Sequence, residues 1–156
     1  MTVYDTILVP TDGSAVAEGA VNHALNLAEM YDADVHALYV IDTSAMDISL
    51  GTEQVDRIRQ GQYDEMSEIQ DRANQATGAV AEQAVQYGLE VTEAVAAGQP
   101  HDRIDGYAED HGVDLIVMGS AGRGGVKRVL LGSVAERTLR TTTVPVLVVD
   151  VHEGED

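Results

Sequence analysis

The 156-residue chain contains no cysteine, no phenylalanine and no tryptophan, and its only lysine is Lys127. Without cysteine there is no disulfide framework, no thiolate nucleophile and no cysteine-based zinc site. Without Phe and Trp the core must be built from Val, Leu, Ile, Ala and Met, with six Tyr supplying all the aromatic area. No apolar run approaches the roughly 18 residues of a membrane span. The opening Met-Thr-Val-Tyr-Asp-Thr-Ile-Leu-Val-Pro lacks the basic region of a secretion signal. A cytoplasmic location and no membrane partner are therefore expected. Basic charge is scarce as well, with 9 basic against 27 acidic residues and a net charge of -18. So negative a surface argues against DNA, RNA or anionic lipid as a partner. It also suggests a halophilic setting, because concentrated salt shortens the Debye length to roughly 3 Å at 1 M and screens the chain's self-repulsion.

What is present is concentrated in one stretch. The apolar run Asp114-Leu-Ile-Val-Met118 empties into Gly119-Ser-Ala-Gly122, and Gly132-Ser133 follow after nine further residues. A buried strand leading through a glycine-rich loop into a helix gathers main-chain N–H groups without Cβ obstruction, which is a cradle for phosphate. Arg123, Lys127, Arg128, Arg137 and Arg140 share a window with Glu136 as its only acid, net +4, while the rest of the chain is net -22. That clustering favours an anionic ligand near the loop.

Along the chain, Thr6–Pro10 reads as a first strand, Ala15–Tyr31 as an amphipathic helix and Asp34–Ile41 as a second strand. Residues 42–52 form a long polar loop suited to a ligand flap. Glu53–Tyr87 carries a helical pattern weakened by Gly61 and Gly78. Leu89–Ala96 reads as a third strand, Pro100–His111 as a helix ending at Gly112, Val113–Met118 as a fourth strand, Ser133–Thr141 as a helix and Val144–Val149 as a final strand. This alternation predicts one Rossmann-like α/β domain over residues 1–150, with an acidic tail at 151–156. Its five-stranded parallel sheet is ordered 3-2-1-4-5, with helices on both faces. Ligands then sit beyond the carboxyl ends of the strands, where Asp12 faces the glycine loop if the first and fourth strands are neighbours. The five histidines show no metal-ligand spacing and are expected on the surface or at helix ends.

The Ile-Leu-Val-Pro-Thr-Asp-Gly-Ser opening, Gly98-Gln-Pro100, Asp114-Leu-Ile-Val-Met-Gly-Ser and Thr143-Val-Pro-Val-Leu-Val-Val together resemble the universal stress protein family over essentially the whole chain. The Gly-x2-Gly-x9-Gly-Ser spacing resembles that of its ATP-binding members, in the adenine nucleotide alpha hydrolase-like fold. The resemblance implies a stress-response regulatory protein that binds ATP, with Mg or Mn held through the phosphates. It further implies nucleotide contacts from Pro10, Thr11, Asp12, Val40, Met118, Gly119, Gly122, Arg123, Gly132, Ser133 and Val134, and no catalytic residue. A slow ATP hydrolase and a nucleotide-free dimeric scaffold are the alternatives. Similar proteins form a homodimer through the last strand, and Val144–Val149 is too apolar to sit uncovered at a sheet edge. Pro145 marks that strand as an edge.

Overall fold

The computed structural model describes residues 4–12, 15–43, 67–120 and 132–150. In the first strand, β1 (Thr6–Pro10), the consecutive residues Ile7, Leu8 and Val9 are all fully buried. An unbroken apolar run of this kind requires cover on both faces of the sheet, as parallel sheets provide. Alternate side chains then divide between two cores. Ile7 and Val9 join one cluster with Val35, Ala37, Leu115 and Val117, and Leu8 joins the other with Leu38, Ile116 and Met118.

The first cluster is closed by α1 (Ala15–Tyr31) and α2 (Ser67–Val85), through residues such as Leu25 and Val80. The second is closed by α3 (Pro100–Asp110) and α4 (Ser133–Thr141), through Ile104, Ala108 and Ala135. Between the layers lie β1, β2 (Asp34–Asp42), β3 (Val91–Gly98), β4 (Leu115–Gly119) and β5 (Val146–Val149). They form one parallel sheet in the order β3-β2-β1-β4-β5, as the alternation of elements predicts.

The connections at the amino end of the sheet share one device. Ala33 N–H donates to Ala28 O at 2.9 Å, Leu89 N–H to Ala84 O at 3.0 Å and Val113 N–H to Ala108 O at 2.9 Å. Each bond spans the end of a helix, and the residue before each donor has positive φ: Asp32 at 56°, Gly88 at 70° and Gly112 at 62°. This is the Schellman closure, which satisfies the last helical carbonyls and seats an apolar residue immediately after the left-handed one. It corrects two expected boundaries. Leu89 and Val113 belong to these closures, so the third strand is Val91–Gly98 rather than Leu89–Ala96, and the fourth is Leu115–Gly119 rather than Val113–Met118. Val144 likewise precedes the last strand in a turn, its N–H donating to Thr142 Oγ1 at 3.1 Å, and β5 is confined to Val146–Val149. The Asp42–Thr52 loop beyond Thr43 and the expected helix before Ser67 lie outside the described residues.

A carboxylate aligns the two central strands. Asp114 Oδ2 accepts from the N–H groups of Asp5 at 2.9 Å and Thr6 at 3.0 Å, while Asp114 N–H donates to Thr6 O at 2.8 Å. With the starts of β1 and β4 clamped together, their carboxyl ends emerge side by side.

Candidate functional site

The chain continues from β1 into Thr11, whose N–H donates to Leu38 O at 2.9 Å, and then Asp12. Because β1 and β4 are neighbours, Pro10, Thr11 and Asp12 come out beside Met118 and Gly119 at the point where the strand order reverses. Thr11 is buried and Asp12 half-buried. The pairing of β1 with β4 meets the condition under which Asp12 was expected beside the loop after the fourth strand. Met118 is only 5% exposed, within the core under α3 and α4. Its side chain is therefore packing, and only its main chain reaches the crevice. Val40 and Val134 also pack against this core, so their side chains stabilise the walls.

Of the helices that begin at this carboxyl edge, α3 and α4 differ in how they start. α3 starts with Pro100, which has no N–H to offer, after Gln99, whose side chain makes no capping bond. Beside it, Gly98 has φ 145° and a Cβ there would lie 2.6 Å from Arg103 Nε, so the Arg103 side chain lies where any larger residue would intrude. α4 keeps its donors. Its cap is Gly132, at φ -68° and ψ 163°, with no side-chain bond to the first-turn amides. Ser133 is the first helical residue. The N–H groups of this turn and the positive end of the helix dipole lie at the carboxyl edge of the sheet, an arrangement suited to an anion.

The loop is closed at its root. Gly132 N–H donates to Ser120 O at 2.6 Å, bringing the two ends of the 121–131 segment together. Gly122 and Arg123 fall in that segment and lie outside the described residues, as do Lys127 and Arg128. The two described members of the basic window are not at the cradle. Arg137 and Arg140 lie in the second half of α4, both exposed, and Arg140 pairs with Glu136 one turn back at 3.2 Å. They suit the negative end of the helix dipole rather than a ligand at its start.

A second constellation, at the opposite end of the sheet, escaped the sequence. His36 Nδ1 lies 2.6 Å from the Tyr107 hydroxyl, and the His111 ring stacks on Tyr107 with centroids 3.8 Å apart. His111 Nδ1 donates to Tyr107 O at 3.0 Å, which leaves Nε2 as its unprotonated nitrogen in the neutral ring. Burial lowers the His36 pKa below 6.5, His111 lowers it further, and Asp34 opposes both. Burial also raises the Tyr107 pKa above 10.0. The four-residue spacing of Tyr107 and His111 was readable as one helix face, but their meeting with His36, 71 residues from Tyr107, depends on the sheet. Among the described residues no group of three or more His, Cys, Asp or Glu is placed to hold a metal ion. No described helix is long and apolar enough to cross a membrane.

A parallel sheet ordered β3-β2-β1-β4-β5, whose order reverses between β1 and β4, defines a Rossmann-like α/β protein, a class in which ligands bind beyond the carboxyl ends of the strands. Comparison with known proteins narrows the class. The universal stress protein family model matches residues 3–150. Universal stress protein MJ0531 of Methanocaldococcus jannaschii is 38% identical over 154 residues, covering 98% of this chain and 86% of the relative. The solved structure of hypothetical protein MJ0577 from the same organism superposes with a TM-score of 0.76 at 31% identity, covering 96% of this chain and 98% of that one. The universal stress protein of Archaeoglobus fulgidus in complex with dAMP shares the fold, with a TM-score of 0.68 at 19% identity over 95% of this chain and 99% of that one. The chain belongs to the universal stress protein family.

Proposed function

We propose that this universal stress protein binds ATP in the crevice between Asp12 and the start of α4, and that the bound nucleotide regulates its action in a stress response. The observation that carries the reading is the glycine-capped start of α4, whose cap offers the first-turn amides no side-chain acceptor and which the Gly132–Ser120 bond holds beside the end of β4. Structures of this fold accommodate an adenine nucleotide, dAMP in the Archaeoglobus fulgidus protein. The intact Gly-x2-Gly-x9-Gly-Ser spacing supports a triphosphate over a nucleotide-free scaffold.

In this reading the amides of Gly132, Ser133 and Val134 bind phosphate oxygens, with Gly119, Gly122 and Arg123 completing the cradle. The main chain of Pro10, Thr11, Val40 and Met118 lines the base and ribose. A Mg or Mn ion bound with the phosphates would supply positive charge that a chain of net -18 lacks, and Asp12, just beyond β1, would be the carboxylate on that side of the site. Two copies pair through the β5 edge to form a homodimer, because Leu147 is 36% exposed on an edge strand that is otherwise apolar.

Isothermal titration with Mg-ATP in concentrated KCl tests the binding. Micromolar or tighter affinity is expected, and Gly122→Val should abolish it by filling the cradle while circular dichroism stays unchanged. Retained affinity in that variant would remove the assigned loop. Phosphate release at saturating Mg-ATP separates a bound signal from turnover: none is expected over hours.

A further inference from the structure

Among the described elements α4 packs on α3 more than on any strand, and the only residues it buries are Ala135 and Thr138, three apart on one face. So small an apolar stripe anchors a helix weakly, and half of it is a hydroxyl. Thr138 is fully exposed to neither water nor partner: it has 0% accessibility, and its Oγ1 makes no hydrogen bond. Across the seam, in the middle of α3, Asp105 Oδ1 is also buried and unpartnered. The described residues hold three such orphaned side-chain atoms, the other being Gln83 Oε1 on α2, so two of them fall on this one helix pair.

Thr141 ties the two together. It lies one turn beyond Thr138 on α4, and its hydroxyl contacts Asp105 Oδ2 while also standing 3.0 Å from Arg137 O. A hydroxyl has a single proton and cannot donate to both acceptors at once. The seam is therefore rich in oxygen lone pairs and poor in protons. Nearby basic groups do not relieve it: His101 pairs with Asp102 at 3.5 Å and Arg140 with Glu136 at 3.2 Å, while Asp105 has no ion pair among the described residues. A bridging water would give hydrogen bonds to these oxygens but leave the carboxylate charge uncompensated, whereas a cation answers both needs. One carboxylate with hydroxyl and carbonyl oxygens suits a singly charged ion, since hard divalent cations take more acidic ligands and no group of three or more His, Cys, Asp or Glu gathers among the described residues.

We infer that Asp105 Oδ1 and the Thr138 hydroxyl, with the Thr141 hydroxyl and the Arg137 carbonyl beside them, form a site for an alkali-metal cation, Na+ or K+, that fastens α4 to α3. The inference stands apart from the proposed nucleotide site and survives or fails without it.

The test is chemical denaturation of the full chain at constant ionic strength, with NaCl or KCl replacing choline chloride, whose cation is too bulky to enter between packed helices. The denaturant midpoint should rise and reach a plateau as the alkali salt replaces choline, as it does for any ligand that binds the folded chain alone. The salt that reaches its plateau at the lower concentration identifies the preferred ion. Asp105→Asn, which removes the charge and keeps the shape, should lose this gain, and so should Thr138→Val, which removes only the hydroxyl and keeps the test decisive should Asp105→Asn disturb folding. Asp110→Asn removes the same charge from an exposed position at the end of α3 and should retain the gain, which separates a bound ion from the diffuse counter-ions of a chain of net -18. Equal midpoints in NaCl, KCl and choline chloride overturn the site, as does a gain that persists in Asp105→Asn or in Thr138→Val.

Discussion

The two ends of the sheet are built from the same strands and helices yet are finished in opposite ways. At the amino end each of three helices closes its carbonyls with a Schellman bond, and Asp114 and the His36–Tyr107–His111 group add side-chain contacts. At the carboxyl end α4 begins on a glycine with no side-chain cap, and its neighbouring loop is held at the root by Ser120. Parallel strands make this asymmetry unavoidable, since every crossover helix points its amino terminus, and so its free N–H groups, to the same edge. At the amino end the Schellman bonds use up helix carbonyls, whereas the carboxyl end presents helix N–H groups, and the glycine cap of α4 adds no side-chain acceptor for them.

That contrast can be broken experimentally, beginning with the ligand. Under the proposed function, Mg-ATP at 100 times its dissociation constant should raise unfolding free energy by about 2.7 kcal/mol. Hydrogen exchange should show the added protection at the start of α4, leaving the amino-end closures unchanged. Asp114→Ala should act at the other end, lowering stability by about 2 kcal/mol through loss of its charge-assisted acceptor, as chemical denaturation would show. ATP affinity should change less than about threefold in that variant, given its distance from the carboxyl edge.

Gly112→Ala tests a single closure. With φ 62° and no atom within 4 Å of a Cβ, the substitution has room but not conformation, and should cost about 1 kcal/mol. The smallest effect is a pH dependence. Burial and His111 hold His36 below its ordinary pKa in the folded chain, so the unfolded chain takes up a proton first as the pH falls. The stability tied to His36 is complete above about pH 6.5 and is lost as the pH drops through its folded-state value. His36→Gln should flatten the stability profile below about pH 6.5, measured by denaturant midpoints.

The strands themselves were legible because runs such as Ile7-Leu-Val9 and Leu115-Ile-Val-Met118 report burial on two faces, whereas the pairing of β1 with β4 that brings Asp12 beside the end of β4 is tertiary. Strand starts were less legible. Leu89 and Val113 are apolar like strand residues, but they serve as the anchors after Gly88 and Gly112, a role fixed by hydrogen bonds to Ala84 and Ala108. The basic window misled in part, because the sequence lists Arg137 and Arg140 beside the loop while the helix carries them away from its start.

From the residues alone came the aliphatic core, the parallel α/β class and the glycine spacing, because each follows from local periodicity and from what Gly, Pro and apolar side chains permit. Tertiary structure alone decided that Gly132 caps α4, that Ser120 reaches Asp150, and that His36 meets Tyr107 and His111. Those contacts join residues 30 to 75 positions apart (His36 to His111 being 111 − 36) or depend on a helix's exact first turn. Such choices are settled by which strands lie side by side, and no local pattern encodes them.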